Sequence, residues 1–253
     1  MTAGLLVEWT SEHVVVVTID RPPSNYFDAE IIAAIAGACE DAAAGGARAA
    51  VLHSTGRVFC AGADFAATDD DQLDPETLYR AGLRLWERTI PMVAAIQGAA
   101  VGGGAGLALA ADMRVASENA RFAVNFSQLG IHHGFGLTVT LPRVVGQQVA
   151  LDLLLTGRRI DGAEAYRVGL VDRLVSADQD VRAVAVTLAA QVAANAPLAV
   201  QAIRTTLLAR LREDLQAAVI REAHEQRLLF ATKDFREGVA AVSERRPGRF
   251  VGR

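Results

Sequence analysis

Cysteine is scarce: Cys39 and Cys60 are the only two in 253 residues. That is too few for a disulfide framework or a thiolate metal site. Lysine is scarcer still, Lys233 being the only one, a bias we read as coding composition and to which we attach no function. Excess charge of either sign is also missing. The 25 basic and 29 acidic residues leave a formal net charge of −4, so the sequence carries no electrostatic footprint for a nucleic acid or an anionic membrane. No basic region leads into an apolar run among the first twenty residues, and no signal peptide is expected. The longest apolar stretch, residues 91–112, is broken by glycines and ends at Asp112; a buried strand followed by a helix suits it better than a membrane span. HExxH, Walker and serine-elbow patterns are absent, and no metal is expected. The expectation is a soluble cytoplasmic protein, with neither nucleic acid nor membrane as partner.

What is present is apolar. Hydrophobic residues make up 51% of the chain, enough for one large domain with an appendage. Val14–Ile19 is a β-branched run and reads as a buried strand. Asp28 is placed to cap a helix bearing Ile31, Ile32 and Ile35. Strands are expected at 49–53 and 92–96, with a helix around 78–87 between them, which indicates an α/β architecture. Beyond them the pattern turns helical. Asp161 and Glu164 form a capping box, with Gly169 placed to end that helix. Asn195 is read as a cap preceding Pro197. Val200, Ile203, Leu207 and Leu211 then recur at helical spacing, and Leu215, Val219 and Ala223 continue after a break. Asp234 with Glu237 is read as another helix start. The chain therefore divides into a core, 1–195, and a helical region, 196–253, whose apolar faces suit subunit packing.

Two glycine-rich segments carry the chemistry. One is Phe59-Cys60-Ala61-Gly62-Ala63-Asp64-Phe65, just after a strand; the other is Gly98 through Leu107, between a strand and an apolar helix. Small residues let backbone N–H groups reach a ligand. A helix starting near Gly103 adds unpaired amides and the positive end of its dipole. Two such loops face to face can hold an oxyanion, although each alone also suits close packing. The dinucleotide fingerprint fails, because position 107 is Leu.

In order along the chain, Arg21-Pro22 through Asn25, FCAGADF, QGAAVGGGAGLALAAD, Ala120-Arg121-Phe122, Leu129-Gly130-Ile131, Leu141-Pro142-Arg143-Val144-Val145-Gly146 and Phe250-Val251-Gly252 together resemble the enoyl-CoA hydratase/isomerase, or crotonase, family. The resemblance implies a spiral of β-β-α units with a C-terminal helical region, assembled as a homotrimer or a dimer of trimers. It also implies an acyl-CoA thioester substrate, with coenzyme A entering as part of that substrate and no separate cofactor. Carried over by position, Ala63 and Gly103 supply the oxyanion amides. Ala61, Asp64, Phe65 and Ala66 line the CoA path, with Asn25 and Tyr26 nearby.

The chain departs from the family at its acids. Members place one glutamate just after the GGG turn and a second in the following A-x-F-x-x-P-E segment. Here those positions are Gly106 and Phe126, and Asn125 replaces the proline. Neither Gly106 nor Phe126 transfers a proton, which argues against two-glutamate hydration. Both are expected to line the acyl pocket. His132 and His133 lie in the loop where some members hold catalytic carboxylates, and an imidazole can act as base or acid. One of them, preferably His133, is expected to face the pocket. The reading is a thioester-processing enzyme of fatty-acid type chemistry. The alternatives are a non-catalytic acyl-CoA-binding protein and a CoA-thioester hydrolase of the same fold.

Overall fold

A computed structural model describes residues 3–65 and 74–253. Val14–Ile19 forms β2, since β-branched side chains fit a pleated, packed surface. It pairs antiparallel with β1 (Leu5–Ser11) and parallel with β3 (Ala49–Ser54). Between them runs α1 (Ala29–Ala44), where the Asp28 carboxylate accepts the Ile31 N–H at 2.8 Å and Ile31, Ile32 and Ile35 are buried. There follow β4 (Val58–Cys60), α2 (Pro75–Glu87), β5 (Met92–Ile96), β6 (Ala99–Val101), α3 (Gly103–Ala110), β7 (Met113–Ser117) and β8 (Arg121–Ala123). After a 3₁₀ turn over Asn125–Leu129 come α4 (Leu137–Val145), α5 (Gln147–Thr156), β9 (Arg159–Asp161), α6 (Gly162–Arg167), β10 (Arg173–Val175) and α7 (Val181–Ala193). The chain ends in α8 (Pro197–Phe230) and α9 (Lys233–Ser243).

The strands form two sheets, β1-β2-β3-β5-β7-β10 and β4-β6-β8-β9. Successive pairs β3/β4, β5/β6 and β7/β8 each leave one strand in either sheet. The chain thus winds as the β-β-α spiral expected from sequence. Side chains alternate across the large sheet. Val15, Val17, Ile19, Ala50 and Leu52 face the main core, while Val14, Val16, Ala49 and Val51 face α7 through Ala185, Leu188 and Ala189. Both faces are covered, which is why these strands read as continuous apolar runs.

The C-terminal region differs from expectation in three places. The break anticipated before Leu215 does not exist, and α8 runs unbroken for 34 residues. Its stripe is divided by surroundings instead: Leu211, Leu215, Val219 and Ala223 join the main core, whereas Ile203 and Leu207 are 60% and 65% exposed. Asn195 does not cap α8, because its amide donates backwards to the Gln191 and Val192 carbonyls of α7, leaving Ala196 at the cap. Asp234 does not cap α9, since Thr232 accepts the Phe235 N–H. The Asp234 carboxylate takes the N–H groups of Val251 and Gly252 at 2.7 and 2.8 Å.

One buried charge cluster joins the core to α8. The Asp112 carboxylate pairs with Arg88, accepts from Arg204 Nε at 2.8 Å and also accepts the Met92 N–H at 2.8 Å. Burial pushes its pKa up, but the two guanidiniums and the amide outweigh it and hold the carboxyl below its ordinary range. Removing the carboxylate leaves two buried guanidiniums uncompensated. Asp112→Ala is therefore expected to cost about 3–5 kcal/mol in urea unfolding. A loss smaller than about 1 kcal/mol would show that the arginines find other partners.

Candidate active site

Three short parallel strands deliver the site. Cys60 stands opposite Ala100, and Val101 opposite Ala123, so β4, β6 and β8 end side by side. From that shared edge the chain continues as Ala61–Ala63, Gly102–Gly103 and Val124–Phe126, consistent with ligands binding at the carboxyl ends of strands in α/β sheets. The small residues are there because the first two segments touch. A Cβ on Gly104 would collide with the Cys60 carbonyl, and one on Gly62 (φ +84°) would stand 3.2 Å from Gly103 N. Ala61 N–H donates to Ser24 O at 3.0 Å, Gly102 N–H to Ala123 O at 2.8 Å, and Gly62 O accepts Phe27 N–H at 2.9 Å. The N–H groups of Ala63 and Gly103 have no acceptor among the described residues. Gly103 opens α3, whose first amides have no partner within the helix. Cys60 is no nucleophile, because burial pushes its thiol up to about 12.

A cavity of about 740 Å³ opens beside these amides. Tyr26, Ala61, Ala63, Asp64, Phe65, Gly103 and Phe126 line it; Ala66 lies outside the described residues. Two expected pocket residues do not line it. Asn25 is fully buried: its Oδ1 accepts the Arg21 N–H, and Nδ2 donates to the Thr55 and Val58 carbonyls at 2.8 and 2.7 Å. It locks the turn before α1. Gly106 is covered by Phe135, whose Cβ and Cδ1 would both stand 3.1 Å from a Cβ at that position. Phe135 adopts φ +59°, unusual for an aromatic residue, and its ring packs on Phe27, Tyr79 and Trp86. An aromatic ring therefore fills the space beside Gly106.

The histidines are not in the cavity either. His133 Nε2 lies 2.9 Å from Thr138 Oγ1, His132 Nδ1 lies 2.6 Å from His133 O, and the two rings stack with centroids 4.1 Å apart. The loop turns Gly134 and Phe135 inward instead. Gly134 presses so closely on Tyr79 that any Cβ would collide with the phenol oxygen. Tyr79 Oη donates to Gln226 Oε1, and Gln226 Nε2 donates to His132 O, each at 2.7 Å. Glu222 accepts the N–H groups of Gly136 and Thr138 at 2.8 and 2.9 Å. Burial raises its pKa, against those hydrogen bonds. Sequence reasoning missed Glu222 and Gln226. Their signal was polarity on the buried face of α8, between Val219 and Phe230. Among the described residues no cluster of three or more His, Cys, Asp or Glu is placed to hold a metal ion, and no single helix is long and apolar enough to cross a membrane.

Residues 10–253 match the family model for enoyl-CoA hydratase/isomerase. The chain belongs to that family. Members similar to it include a protein of Rhodobacter capsulatus described as a probable enoyl-CoA hydratase, 36% identical over 249 residues and 96% of each chain. The 2,3-dehydroadipyl-CoA hydratase of Escherichia coli is 34% identical over 254 residues, 98% of this chain and 99% of that one. A crystal structure of an enoyl-CoA hydratase from Mycobacterium avium subsp. paratuberculosis superposes with a TM-score of 0.86 at 32% identity, covering 99% of this chain and all of that one. The crotonase fold and membership of an enzyme family follow.

Two outcomes are expected from the loop of this family member. Glu222→Ala leaves the buried amide of Gly136 and the part-buried amide of Thr138 without their acceptor and should cost about 1–3 kcal/mol in chemical denaturation; an unchanged midpoint would mean that the loop is held otherwise. Burial, followed by the neighbouring His132, pushes His133 down to about 4. Its folded pKa thus lies below the unfolded value of about 6.5, so stability is lost as pH falls from 6.5 toward 4. An NMR titration should find His133 neutral at pH 5.5, and His133→Gln should flatten the decline in Tm over that window. A midpoint near 6.5 would contradict the burial.

Proposed function

We propose that this chain is an enzyme acting on an acyl-CoA thioester, whose carbonyl oxygen is polarised by the N–H groups of Ala63 and Gly103. The observation that carries this reading is the pair of unpartnered amides beside one cavity, at the ends of β4 and β6. Negative charge gathers on that oxygen in an enolate or a tetrahedral adduct. Fixed donors and the positive end of α3 stabilise it without reorganising. The backbone of Asp64 and Phe65, with Tyr26, flanks the CoA moiety.

Water addition by paired carboxylates is not part of the proposal. Phe126 occupies one acid/base position, and Gly106 lies beneath Phe135 at the other. Neither imidazole is assigned the proton, since both lie outside the cavity. Isomerisation, which must move a proton between two carbons, is left without a carrier. The reactions that remain are thioester hydrolysis, in which water adds to the carbonyl, the C–S bond breaks and the coenzyme A sulfur takes the water proton, and carbon–carbon hydrolysis, in which the departing thioester enolate takes it. The aromatic cover over Gly106 also favours a second reading, a non-catalytic acyl-CoA-binding protein. The exposed Leu198, Ile203, Leu207 and Ile220 of α8 are apolar surface suited to a homotrimer or a dimer of trimers.

Two measurements test this. Butyryl-CoA should bind about tenfold more tightly than its thioether analogue S-butyl-CoA, which lacks the carbonyl, a difference of about 1.4 kcal/mol. A Cβ at 103 would stand 2.5 Å from Phe27 Cζ, so Gly103→Pro is compared in a Phe27→Ala background, where it should erase that preference. Equal binding of the two ligands by the parent would remove the oxyanion site. Crotonyl-CoA, followed through its conjugated thioester absorbance, should be hydrated at least about 10²-fold more slowly than by a two-glutamate member. Rapid hydration would reject the assignment of Gly106 and Phe126.

A further inference from the structure

The cavity wall contributed by the end of β8 holds a polar group that nothing described so far uses. Asn125 lines the cavity, and its Oδ1 is buried without a hydrogen-bond partner among the described residues. Its Nδ2 makes no hydrogen bond to them either. The other amides near the site are spent. Asn25 makes three hydrogen bonds, one within the turn before α1 and two to the Thr55 and Val58 carbonyls, and Gln226 is held at both ends by Tyr79 and His132. Buried polar groups are nearly always paired; the Oδ1 is closed off from the cavity as it stands, so the unpartnered Nδ2 is the end of this amide that meets a ligand first. The last side-chain torsion of an asparagine is broad and roughly two-fold. Turning it exchanges the carbonyl and the amino group, so the residue can offer a donor or an acceptor.

Its position fixes which part of a ligand it meets. Val101 and Ala123 are register partners, and the Gly102 N–H bonds to Ala123 O at 2.8 Å. Asn125 therefore leaves β8 beside the turn from which Gly103 offers its amide. The Phe126 ring follows against Gly102, 3.7 Å from a Cβ placed there. An acyl group whose carbonyl oxygen meets Ala63 and Gly103 lays its first carbons along that wall. Phe27, Phe126, Leu129 and Phe135 supply apolar lining to the same cavity. A single neutral amide in such a setting matches a single neutral oxygen. It does not match a carboxylate, for the one arginine lining the cavity among the described residues, Arg21, is paired with Asp28 at 2.7 Å.

We propose that Asn125 is a substrate contact that selects acyl-CoA thioesters bearing a hydroxyl or oxo oxygen on the second or third acyl carbon. This rests on the acyl-CoA reading above. A hydroxyl uses the amide as donor and acceptor together, whereas an oxo group uses its N–H alone.

Calorimetric titration with butyryl-CoA, 3-hydroxybutyryl-CoA, 2-hydroxybutyryl-CoA and acetoacetyl-CoA tests it, on the parent and on the near-isosteric Asn125→Leu. The parent should bind at least one of the oxygenated thioesters on the order of tenfold more tightly than butyryl-CoA. Asn125→Leu should bring every ratio to within about twofold, with butyryl-CoA bound as well as before or better. Asn125→Ala provides the same comparison if the leucine variant fails to fold. A parent that binds all four ligands alike overturns the proposal, as does a preference that survives in both variants. In either case butyryl-CoA still binds and the acyl-CoA reading stands. If no thioester binds the parent, the acyl-CoA reading itself falls and takes this proposal with it.

Discussion

No side chain fits between residue 104 and the carbonyl of Cys60, and the rest of the site depends on that exclusion. Because β4 and β6 are paired in parallel, the segments leaving them must share one edge. They can do so only where backbone meets backbone, at Gly62, Gly103 and Gly104. That contact sets the spacing between the amides of Ala63 and Gly103 before any ligand arrives. Both amides belong to main chain anchored in a sheet, so their positions do not depend on rotamers, and in the proposed oxyanion site that preorganisation would supply the strength.

Around this fixed pair, the opposite wall is shaped by long-range packing. Phe135 lies directly on Gly106, in a left-handed conformation that costs about 1–3 kcal/mol. It holds because Glu222 takes the amides just beyond it, while Tyr79 and Gln226 brace the chain just before it. Helix α8 thus does more than pack on the core. Its polar residues on the buried face decide which side of the 130–137 loop is turned toward the ligand.

Local features were legible in the sequence, and contacts between distant segments were not. The caps at Asp28 and Asp161 involve amides three residues away, and both are found. Asn195 and Asp234 have the same chemistry, but α7 and the C-terminal segment offered them other partners. The two glycine loops were readable because each is continuous in sequence. The cover over Gly106 was not, since it depends on an aromatic ring from a different element meeting a residue without a side chain. The placement of His132 and His133 outside the cavity likewise goes with the fit of Gly134 against Tyr79, which no spacing in that loop encodes.

The cavity also has a birth order. Phe230, Val239, Val242 and Ser243 form part of its wall, and α9 is tied down by Asp234 holding the amides of Val251 and Gly252 near the end of a 253-residue chain. The amides of Ala63 and Gly103 leave the ribosome early, yet the enclosure around them waits for α8 and α9. A growing chain that has not yet made α9 therefore has no finished chamber to offer a ligand.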